Sequence, residues 1–543
     1  MIPAFLLFAV SGVLRGLAQP GWLDSAALVL LAAALRILSW RTGRGWGWDF
    51  LHGLGWWSFA FSFLAHVHPA ALAVAAFLMA WMGVVEGFLA RRLARRLPWA
   101  LAGALALAAA AWIRMRFFLI GAGGVPWASL AWPLADGPLL SLASAGGEGG
   151  LVLLVALAAA AVAELAVAVR ARRRPALAVL LPAPFLGALL GAAATRPSEP
   201  TGSLRVLAVQ PSIRVDDKHA LDGLELYRRQ LDLTDAALRA GERPDLVAWS
   251  ETMWPLPAAP EGAAGTLRRW FPGIGDTGQD FAEALEFQRT FAARVLALAP
   301  EDAFFVTGAH FFTPEADDDA DGLSPRSSQT LLFDREGRLR AHVAKRELVP
   351  FGERLPLWGA VPFARSLVDL IQTASGLRPD FVRPDDEGPL EAPGLPPLGV
   401  ATCWENVFEE VFRDQATRGA AAFLVLSNEA WYGEASREMD QMLAATRLRA
   451  AETGRDVLRV TNSGTTVLVH PDGGMVRGPE PAAEAWWGVD LPLREGAPTP
   501  HCVAWGWAIL PVAALLALLL ALLPGAGPRR RGAGSLDHPT GEG

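Results

Sequence analysis

Cysteine and lysine are nearly absent from this chain. Only Cys403 and Cys502 occur among 543 residues, and two cysteines supply neither a disulfide framework nor a CxxC metal pair. Of 48 basic residues, all but Lys218 and Lys345 are arginine. Because burial shifts the pKa of lysine far more readily than that of arginine, each lysine is a candidate for a chemical role.

The chain also has no basic patch with interleaved aromatic residues, and its formal net charge is −7. Both features argue against a nucleic-acid partner. Hydrophobic residues make up 52% of the sequence, and charged residues are sparse in the first 200 positions. This composition indicates an integral membrane protein that carries one soluble domain.

Long apolar runs predict the membrane part. A spanning helix needs about 20 mostly apolar residues, and the N-terminal run lacks the basic segment of a signal peptide. Eight runs qualify as candidate spans: about 2–18, 23–39, 49–66, 69–90, 97–119, 150–170, 176–195 and 503–524.

Arginine clusters predict the orientation of these spans. Segments 41–44, 91–96, 170–174 and 529–531 are arginine-rich and follow candidate spans two, four, six and eight. Cytoplasmic loops attract such charge. All four clusters are cytoplasmic only if the N-terminus is cytoplasmic too, which places the long segment between spans seven and eight on the external face.

That middle segment predicts an α/β domain. Buried-strand candidates are 204–210, 245–250, 303–311, 329–334, 398–403, 421–427 and 456–462, with a hairpin turn at 471–474. Helical periodicity appears in 220–240, 278–298 and 436–453. Strands that alternate with helices indicate a sheet covered by helices, in which reactive groups gather at the C-terminal ends of strands.

Three titratable residues occupy such strand ends: Glu251, Lys345 and Cys403. A thiol becomes a good nucleophile only when it is ionised. A carboxylate can take its proton, and an ammonium group can stabilise a developing oxyanion. Each residue alone is ordinary, since a lone cysteine is usually a small buried apolar residue. Their combination predicts nucleophilic catalysis.

Four segments give this pattern a family resemblance: "KRELVPFGERLPL" (345–357), "TCWENVF" (402–408), "LSNEAWYG" (426–433) and "RLRAAETGRDVLRVTNSGTT" (447–466). They resemble the apolipoprotein N-acyltransferase branch of the nitrilase superfamily. The resemblance implies a bundle of about eight transmembrane helices joined to a nitrilase-like α-β-β-α sandwich. The expected domains are helices 1–7 in 1–199, a periplasmic catalytic domain in 200–497, helix 8 in 498–525 and a disordered cytoplasmic tail in 526–543.

The resemblance also assigns catalytic roles. Glu251 matches the general base, Lys345 the oxyanion-stabilising lysine and Cys403 the nucleophile. Glu353 and Glu405 match supporting acids, although each could equally form a salt bridge with a nearby arginine.

Aromatic residues complete the implied substrate site. Trp404 and Trp431 match aromatic positions of the family motifs, and either could also be simple core. Trp270 and Trp358 lie in segments 267–275 and 355–363, which we interpret as arms that dip toward lipid headgroups; ordinary packed loops are the alternative. The sequence departs from the family pattern at His219 and at Ser327 or Ser328, which affects substrate binding rather than the reaction.

The implied reaction needs no metal and no organic cofactor. A membrane phospholipid donates an acyl chain to Cys403 as a thioester, and the chain passes to the N-terminal amine of a diacylated apolipoprotein. The expected location is the bacterial inner membrane, with the catalytic domain in the periplasm and the protein a monomer.

Two other functions use the same features. A membrane-tethered nitrilase-type amidase would hydrolyse a small amide with the same three residues. A transporter or sensor would use the helices and bind a ligand in the outer domain. Such a protein would be expected to carry paired charges inside its spans, whereas we expect Glu86 and Glu164 at the membrane interface.

Overall fold

The structure is a computed structural model that describes residues 4–43, 45–117, 124–193, 197–215, 217, 223–254, 258, 278–312, 326–355, 366, 381–383, 388–433, 436–497 and 500–523. The predicted tail 526–543 lies outside the described residues. So do Lys218, His219, Trp270 and Trp358, and with them most of the two predicted arms.

The N-terminal part and the C-terminal end are helical. The helices before the middle domain are α1 (Ala4–Leu17), α2 (Ala26–Trp40), α3 (Trp46–Ala60), α4 (Leu64–Val67), α5 (Pro69–Leu93), α6 (Trp99–Phe117), α7 (Ala143–Arg170) and α8 (Pro182–Ala193). After the domain follow α13 (His501–Ala504) and α14 (Ile509–Leu522). Apart from the short α4 and α13, each helix overlaps one of the eight predicted spans.

Length and composition support only part of the predicted bundle. Among the described residues, two helical stretches are long and apolar enough to cross a membrane, Pro69–Leu93 and Pro138–Arg170. Four other apolar helices are shorter: Phe5–Leu17, Ala26–Trp40, Pro182–Ala193 and Gly506–Leu522. Among the described residues, eight helices therefore occupy the predicted spans, and two of them meet the length and composition expected of a membrane-spanning helix.

The structure shows ion-pair partners of Glu86 that the sequence did not reveal. Its carboxylate is buried and pairs with Arg15 at 2.6 Å and Arg36 at 3.1 Å. Arg36 also pairs with buried Asp49 at 2.9 Å. The sequence reading considered one span at a time, whereas these charges neutralise one another between α1, α2, α3 and α5. Glu164, in contrast, lies near the end of α7 and pairs with exposed Arg173 at 2.7 Å.

The middle domain contains two six-stranded sheets. Its strands are β1 (Gly202–Gln210), β2 (Leu246–Trp249), β3 (Phe304–Phe312), β4 (Arg326–Phe333), β5 (Leu339–Ala344), β6 (Leu390–Ala392), β7 (Leu395–Thr402), β8 (Ala422–Ser427), β9 (Val457–Thr461), β10 (Val467–Val469), β11 (Met475–Arg477) and β12 (Ala485–Leu493). The first sheet has the order β12-β1-β2-β3-β4-β5 and the second β11-β10-β9-β8-β7-β6. In each sheet three adjacent strands run parallel. They are β1, β2 and β3 in the first sheet and β7, β8 and β9 in the second.

Among the described residues, four helices complete this domain: α9 (Gly223–Arg239), α10 (Gly278–Val295), α11 (Glu409–Thr417) and α12 (Arg437–Thr453). The two sheets pack face to face through aliphatic side chains such as Val206, Val306, Leu424 and Leu458. Helices α9 and α10 cover the outer face of the first sheet, and α11 and α12 cover the second. The predicted α-β-β-α sandwich is therefore confirmed.

All seven predicted strands, the hairpin and the three predicted helices of this domain are present. The strand candidates omitted β6 and β12, and they included β5 only through the placement of Lys345 at a strand end; all three lie at sheet edges. Their solvent-facing residues and prolines interrupt the apolar runs on which strand prediction depends.

Helix α12 joins the sandwich to the helices of the N-terminal part. Its apolar face shares one continuous core with α3, α7 and the outer face of the second sheet. Buried Arg449 of α12 bonds to Glu148 of α7 at 2.8 Å, and Glu452 accepts the Glu148 backbone N–H at 2.7 Å. These contacts hold the second sheet against the helices of the N-terminal part.

Candidate active site

Cys403 stands at the turn where β7 ends. It begins a short 3-10 helix, Cys403–Val407, and its φ of 51° is in the left-handed region. Non-glycine residues rarely adopt this conformation, and strained backbone of this kind concentrates at functional sites. The thiol is buried and forms no disulfide.

Lys345 lies between two carboxylates. Its Nζ donates to Glu353 Oε1 at 2.8 Å and to Glu251 Oε1 at 3.2 Å, and its side chain is fully buried. The other oxygen of Glu353 accepts the Val349 backbone N–H at 2.8 Å, so the tight turn that contains Glu353 orients it. A buried ammonium group is stable only when charges and hydrogen bonds compensate it, and this pair of carboxylates does so.

Backbone contacts orient the Glu251 carboxylate. Its Oε2 accepts the N–H of Asn428 at 3.0 Å, at the end of β8. The Asn428 side chain in turn accepts from Asn462 at 2.9 Å, at the end of β9. Gly308 allows this approach, because a Cβ there would lie 2.7 Å from Thr252 N and 2.8 Å from Glu251 Cα. Both sheets therefore meet at Glu251.

The electrostatics link these groups to the thiol. Burial raises the pKa of Cys403 well above its ordinary value, the Glu251 charge raises it further, and Lys345 acts in the opposite direction. Burial lowers the pKa of Lys345, but Glu353 and Glu251 more than offset this, so that the pKa lies well above its ordinary value. At neutral pH the lysine is therefore a cation and the resting sulfur is a thiol that needs a base.

Glu405 connects the nucleophile turn to the lysine strand. One of its oxygens accepts the Thr402 N–H at 2.9 Å, and the other accepts the backbone N–H groups of Arg346 at 2.6 Å and Glu347 at 3.2 Å. The carboxylate is buried. Its observed contacts are with backbone rather than the salt bridge considered from sequence, and they fix Cys403 relative to Lys345.

An apolar cavity of about 140 Å³ opens beside the thiol. Its walls come from the helices, from the turns after β5 and from the second sheet; they are Phe61, Phe63, Leu64, Ala75, Leu78, Met79, Val125, Trp127, Val349, Pro350, Phe351, Cys403, Trp404, Tyr432, Glu438 and Met442. An apolar cavity of about this volume can hold a benzene-sized group. The site can therefore take the first carbons of an aliphatic chain next to sulfur.

The predicted aromatic contacts have different positions. Trp404 lines the cavity and stacks on Trp127 with ring centroids 5.5 Å apart. Trp431 is half-buried in the short 3-10 helix Glu429–Tyr432 and is not among the described residues that line the cavity, whereas its neighbour Tyr432 is. Substrate binding by all four tryptophans remains a prediction: Trp404, Trp431, Trp270 and Trp358.

Sequence reasoning missed several cavity residues. Phe61, Phe63 and Trp127 lie in or beside helices read only as membrane spans, and the sequence carries no signal that pairs them with Cys403. Tyr432 lies within the quoted motif "LSNEAWYG" but was not singled out. Glu438 occupies the first turn of α12, where a glutamate is common for helix-dipole reasons alone.

This arrangement can perform acyl chemistry at sulfur. The Cys403 thiol lines the apolar cavity and interacts electrostatically with the Glu251 carboxylate and the Lys345 ammonium group. A thiol, a carboxylate and a fixed cation are the parts that nucleophilic attack on a carbonyl requires. Within the described ranges, no group of three or more His, Cys, Asp or Glu side chains is arranged to hold a metal ion.

Comparisons with known proteins identify relatives of this chain. Residues 206–498 match the carbon-nitrogen hydrolase family, and residues 11–161 match the apolipoprotein N-acyltransferase N-terminal domain. The apolipoprotein N-acyltransferase of Azotobacter vinelandii is 31% identical over 95% of this chain and 94% of its own length. That of Pseudomonas putida is 30% identical over 94% of this chain and 99% of its own length. Among solved structures, an amidase from Nesterenkonia sp. aligns with a TM-score of 0.35 and 19% identity, covering 55% of this chain and 92% of the amidase.

Proposed function

The chain belongs to the apolipoprotein N-acyltransferase family, and on that premise we propose that it moves a fatty acyl chain from a membrane phospholipid to the N-terminal amine of a lipoprotein. It is an acyltransferase of lipoprotein biosynthesis. The acceptor is the α-amino group of an N-terminal S-diacylglyceryl cysteine, and the acyl chain passes through a thioester on Cys403. The small-amide hydrolase and the transporter or sensor are not favoured by this membership.

One observation carries the proposal: fully buried Lys345 is held between Glu251 and Glu353 and interacts electrostatically with Cys403, whose thiol lines the apolar cavity. A hydrolase of small amides has no use for an apolar cavity whose walls continue into a helical bundle. A lipid-derived acyl chain does, because each buried methylene contributes about 0.8 kcal/mol.

In the first half-reaction, Glu251 accepts the proton of the Cys403 thiol as the sulfur attacks the ester carbonyl of the phospholipid, at the sn-1 position by family resemblance. Lys345 stabilises the tetrahedral oxyanion together with a backbone N–H. The C–O bond breaks, Glu251 returns the proton to the departing alkoxide, and a lysophospholipid leaves. The acyl chain remains on sulfur.

In the second half-reaction, Glu251 accepts a proton from the acceptor's amine, and the nitrogen attacks the thioester carbonyl. The C–N bond forms and the C–S bond breaks. Cys403 recovers its proton from Glu251, so the site returns to its starting state. Glu353 and Glu405 act by position: one holds Lys345, and the other ties its strand to the nucleophile turn.

The test is trapping of the acyl-enzyme. Full-length protein in detergent is incubated with phospholipid, and its intact mass is measured before and after hydroxylamine. We expect an acyl-sized adduct on wild-type protein that hydroxylamine removes, no adduct on Cys403→Ala, and a rate at least about 100-fold lower for Glu251→Gln, the usual scale of general-base catalysis. Cys502→Ala is the matched control, because Cys502 is buried away from the cavity. Turnover of a small amide without an acyl adduct would instead support the amidase.

The membrane arrangement is part of the same proposal. We propose that all eight helices cross the bacterial inner membrane, with the arginine clusters in the cytoplasm and the catalytic domain in the periplasm as a monomer. Short α14 supports this, since a row of its apolar side chains is exposed: Val512, Leu515, Leu516, Leu519 and Leu522. Lipid is the solvent in which such a surface is stable.

Labelling of single cysteines tests this orientation. A membrane-impermeant maleimide, applied to cells with a permeabilised outer membrane, should label Asp472→Cys in the domain and not Thr42→Cys in the first arginine cluster. Labelling of both, or only of Thr42→Cys, would reject it.

A further inference from the structure

Glu438 is a buried acid that the reaction described so far does not use. It lies in the first turn of α12, its exposed fraction is 0%, and it lines the same cavity as Cys403. Neither carboxyl oxygen has a hydrogen-bond partner among the described residues. An unsatisfied buried polar group is costly, and in a native site it requires an explanation.

Among the described residues, Arg459 is a cation whose charge acts on Glu438, and it is already engaged. Burial raises the pKa of Glu438 well above its ordinary value, and the charges of Glu429 and Glu251 raise it further, while Arg459 acts against them. Arg459, however, is buried in an ion pair with Glu429. The carboxyl group therefore faces the cavity with unused acceptor capacity in a negative environment, which is the setting that a cationic ligand group would complement.

We propose that Glu438 binds the primary ammonium group of the lipoprotein acceptor and thereby selects an amine as the second substrate. This inference rests on the proposed function and adds the residue that recognises the acceptor. A carboxyl group and an ammonium ion form charge-assisted hydrogen bonds, which are among the stronger ones in proteins.

The position of Glu438 favours the acceptor over a lipid headgroup. In the second half-reaction, the nitrogen must come within bonding distance of the thioester carbon on Cys403, and Glu438 shares that cavity. The ammonium group of a phosphatidylethanolamine donor is separated from the reacting ester by the glycerol backbone and the phosphodiester. When the ester is at sulfur, that ammonium group lies toward the polar surface.

The chemistry needs no additional reactant. The ammonium group donates N–H bonds to Glu438. It releases one proton to water and becomes a neutral amine; Glu251 accepts a second proton as the nitrogen attacks, the C–N bond forms and the C–S bond breaks, and this second proton passes to the sulfur of Cys403. Glu438 keeps the remaining N–H groups in place during attack and gains or loses no atom. Water and other neutral nucleophiles make no such charged contact.

The experiment compares Glu438→Gln with wild-type enzyme in each half-reaction. The matched control is Asp440→Asn, which removes one acid from the same helix turn at an exposed position outside the cavity. Acylation of Cys403 is measured with phosphatidylglycerol and with phosphatidylethanolamine. The isolated acyl-enzyme is then treated with an S-diacylglyceryl-cysteinyl peptide or with hydroxylamine, a nucleophile that is largely uncharged at neutral pH.

We expect Glu438→Gln to acylate at the wild-type rate with both lipids and to react normally with hydroxylamine. Its KM for the peptide should rise about tenfold, equivalent to about 1.4 kcal/mol, with a smaller change in kcat. Asp440→Asn should behave as wild type throughout.

The other outcomes overturn the inference in distinct ways. An unchanged KM for the peptide rejects Glu438 as the ammonium site, and slow acylation with both lipids assigns it a structural role. A defect confined to phosphatidylethanolamine assigns it to the donor headgroup. If wild-type enzyme itself formed no acyl adduct, the proposed function would fail, which is a separate result.

Discussion

Replacing Glu405 by glutamine should separate the two halves of the candidate site. Glu405 accepts three backbone N–H groups, from Thr402 at one oxygen and from Arg346 and Glu347 at the other. Glutamine has nearly the same shape but only one acceptor oxygen. Its amide can serve the nucleophile turn or the strand that carries Lys345, but not both.

The magnitude follows from the number of bonds lost. At least one buried backbone N–H loses its acceptor, and in the other orientation two do, at about 1–3 kcal/mol each. We expect a loss of about 2–4 kcal/mol in the free energy of unfolding, which is roughly 5–15 °C in Tm for a domain of this size. Because misplacement of a reacting group by about 1 Å can cost about 100-fold in rate, acylation of Cys403 should slow by about that factor.

The assay combines thermal unfolding in detergent with the rate of acyl-adduct formation. Glu391→Gln is the control, since Glu391 is an exposed glutamate on β6 of the same sheet; it should change neither quantity. If Glu405→Gln unfolds and acylates like wild type, then the three contacts do not fix the site and Glu405 is not a positioning residue. Lower activity with unchanged Tm would instead point to direct participation in the chemistry.

Two further predictions concern groups beside the site. Burial raises the pKa of Glu347 from 4.5 to about 7, with Glu410 and Glu405 adding to the effect and Arg383 opposing it. The folded state thus holds this proton more tightly than the unfolded state, so the free energy of unfolding should fall by about 3 kcal/mol as pH rises from 4.5 to 7. Chemical denaturation at several pH values should show a smaller decrease for Glu347→Gln than for the wild-type protein. An identical pH dependence of the two proteins would contradict the assignment. Gly308→Ala places a Cβ 2.8 Å from the Cα of Glu251, so acylation should fall about 100-fold through displacement of the base. Gly202→Ala is the control, because Gly202 lies at the exposed start of β1 and a Cβ there meets open space; it should acylate normally. Full activity of Gly308→Ala would show that the close approach does not matter.

The sandwich fold and the main residues of the candidate active site could be predicted from local sequence patterns. Apolar runs mark buried strands, and rare residue types at strand ends single out Lys345 and Cys403. Glu251 follows from its position at a strand end and Glu353 from a family motif, and the structure shows both beside Lys345. These features are local in the chain, so a pattern of neighbours in sequence can reveal them.

Features that depend on distant partners were not predictable in this way. The ion pairs of Glu86 could not be predicted, because its partners Arg15 and Arg36 lie on other helices. Asn428 and Asn462 orient Glu251 only after β8 and β9 have paired.

Glu438 is the sharpest case of this limit. In the sequence it is an ordinary first-turn glutamate with Asp440 two positions away, and helix propensity treats the two alike. Folding exposes Asp440 and buries Glu438 in the cavity of Cys403 without a partner for either oxygen among the described residues. The packing of α12 against the bundle therefore gives Glu438 and Asp440 different functions, although both lie in one helix turn. The same packing forms the cavity for the acyl chain and the site that we assign to the acceptor amine.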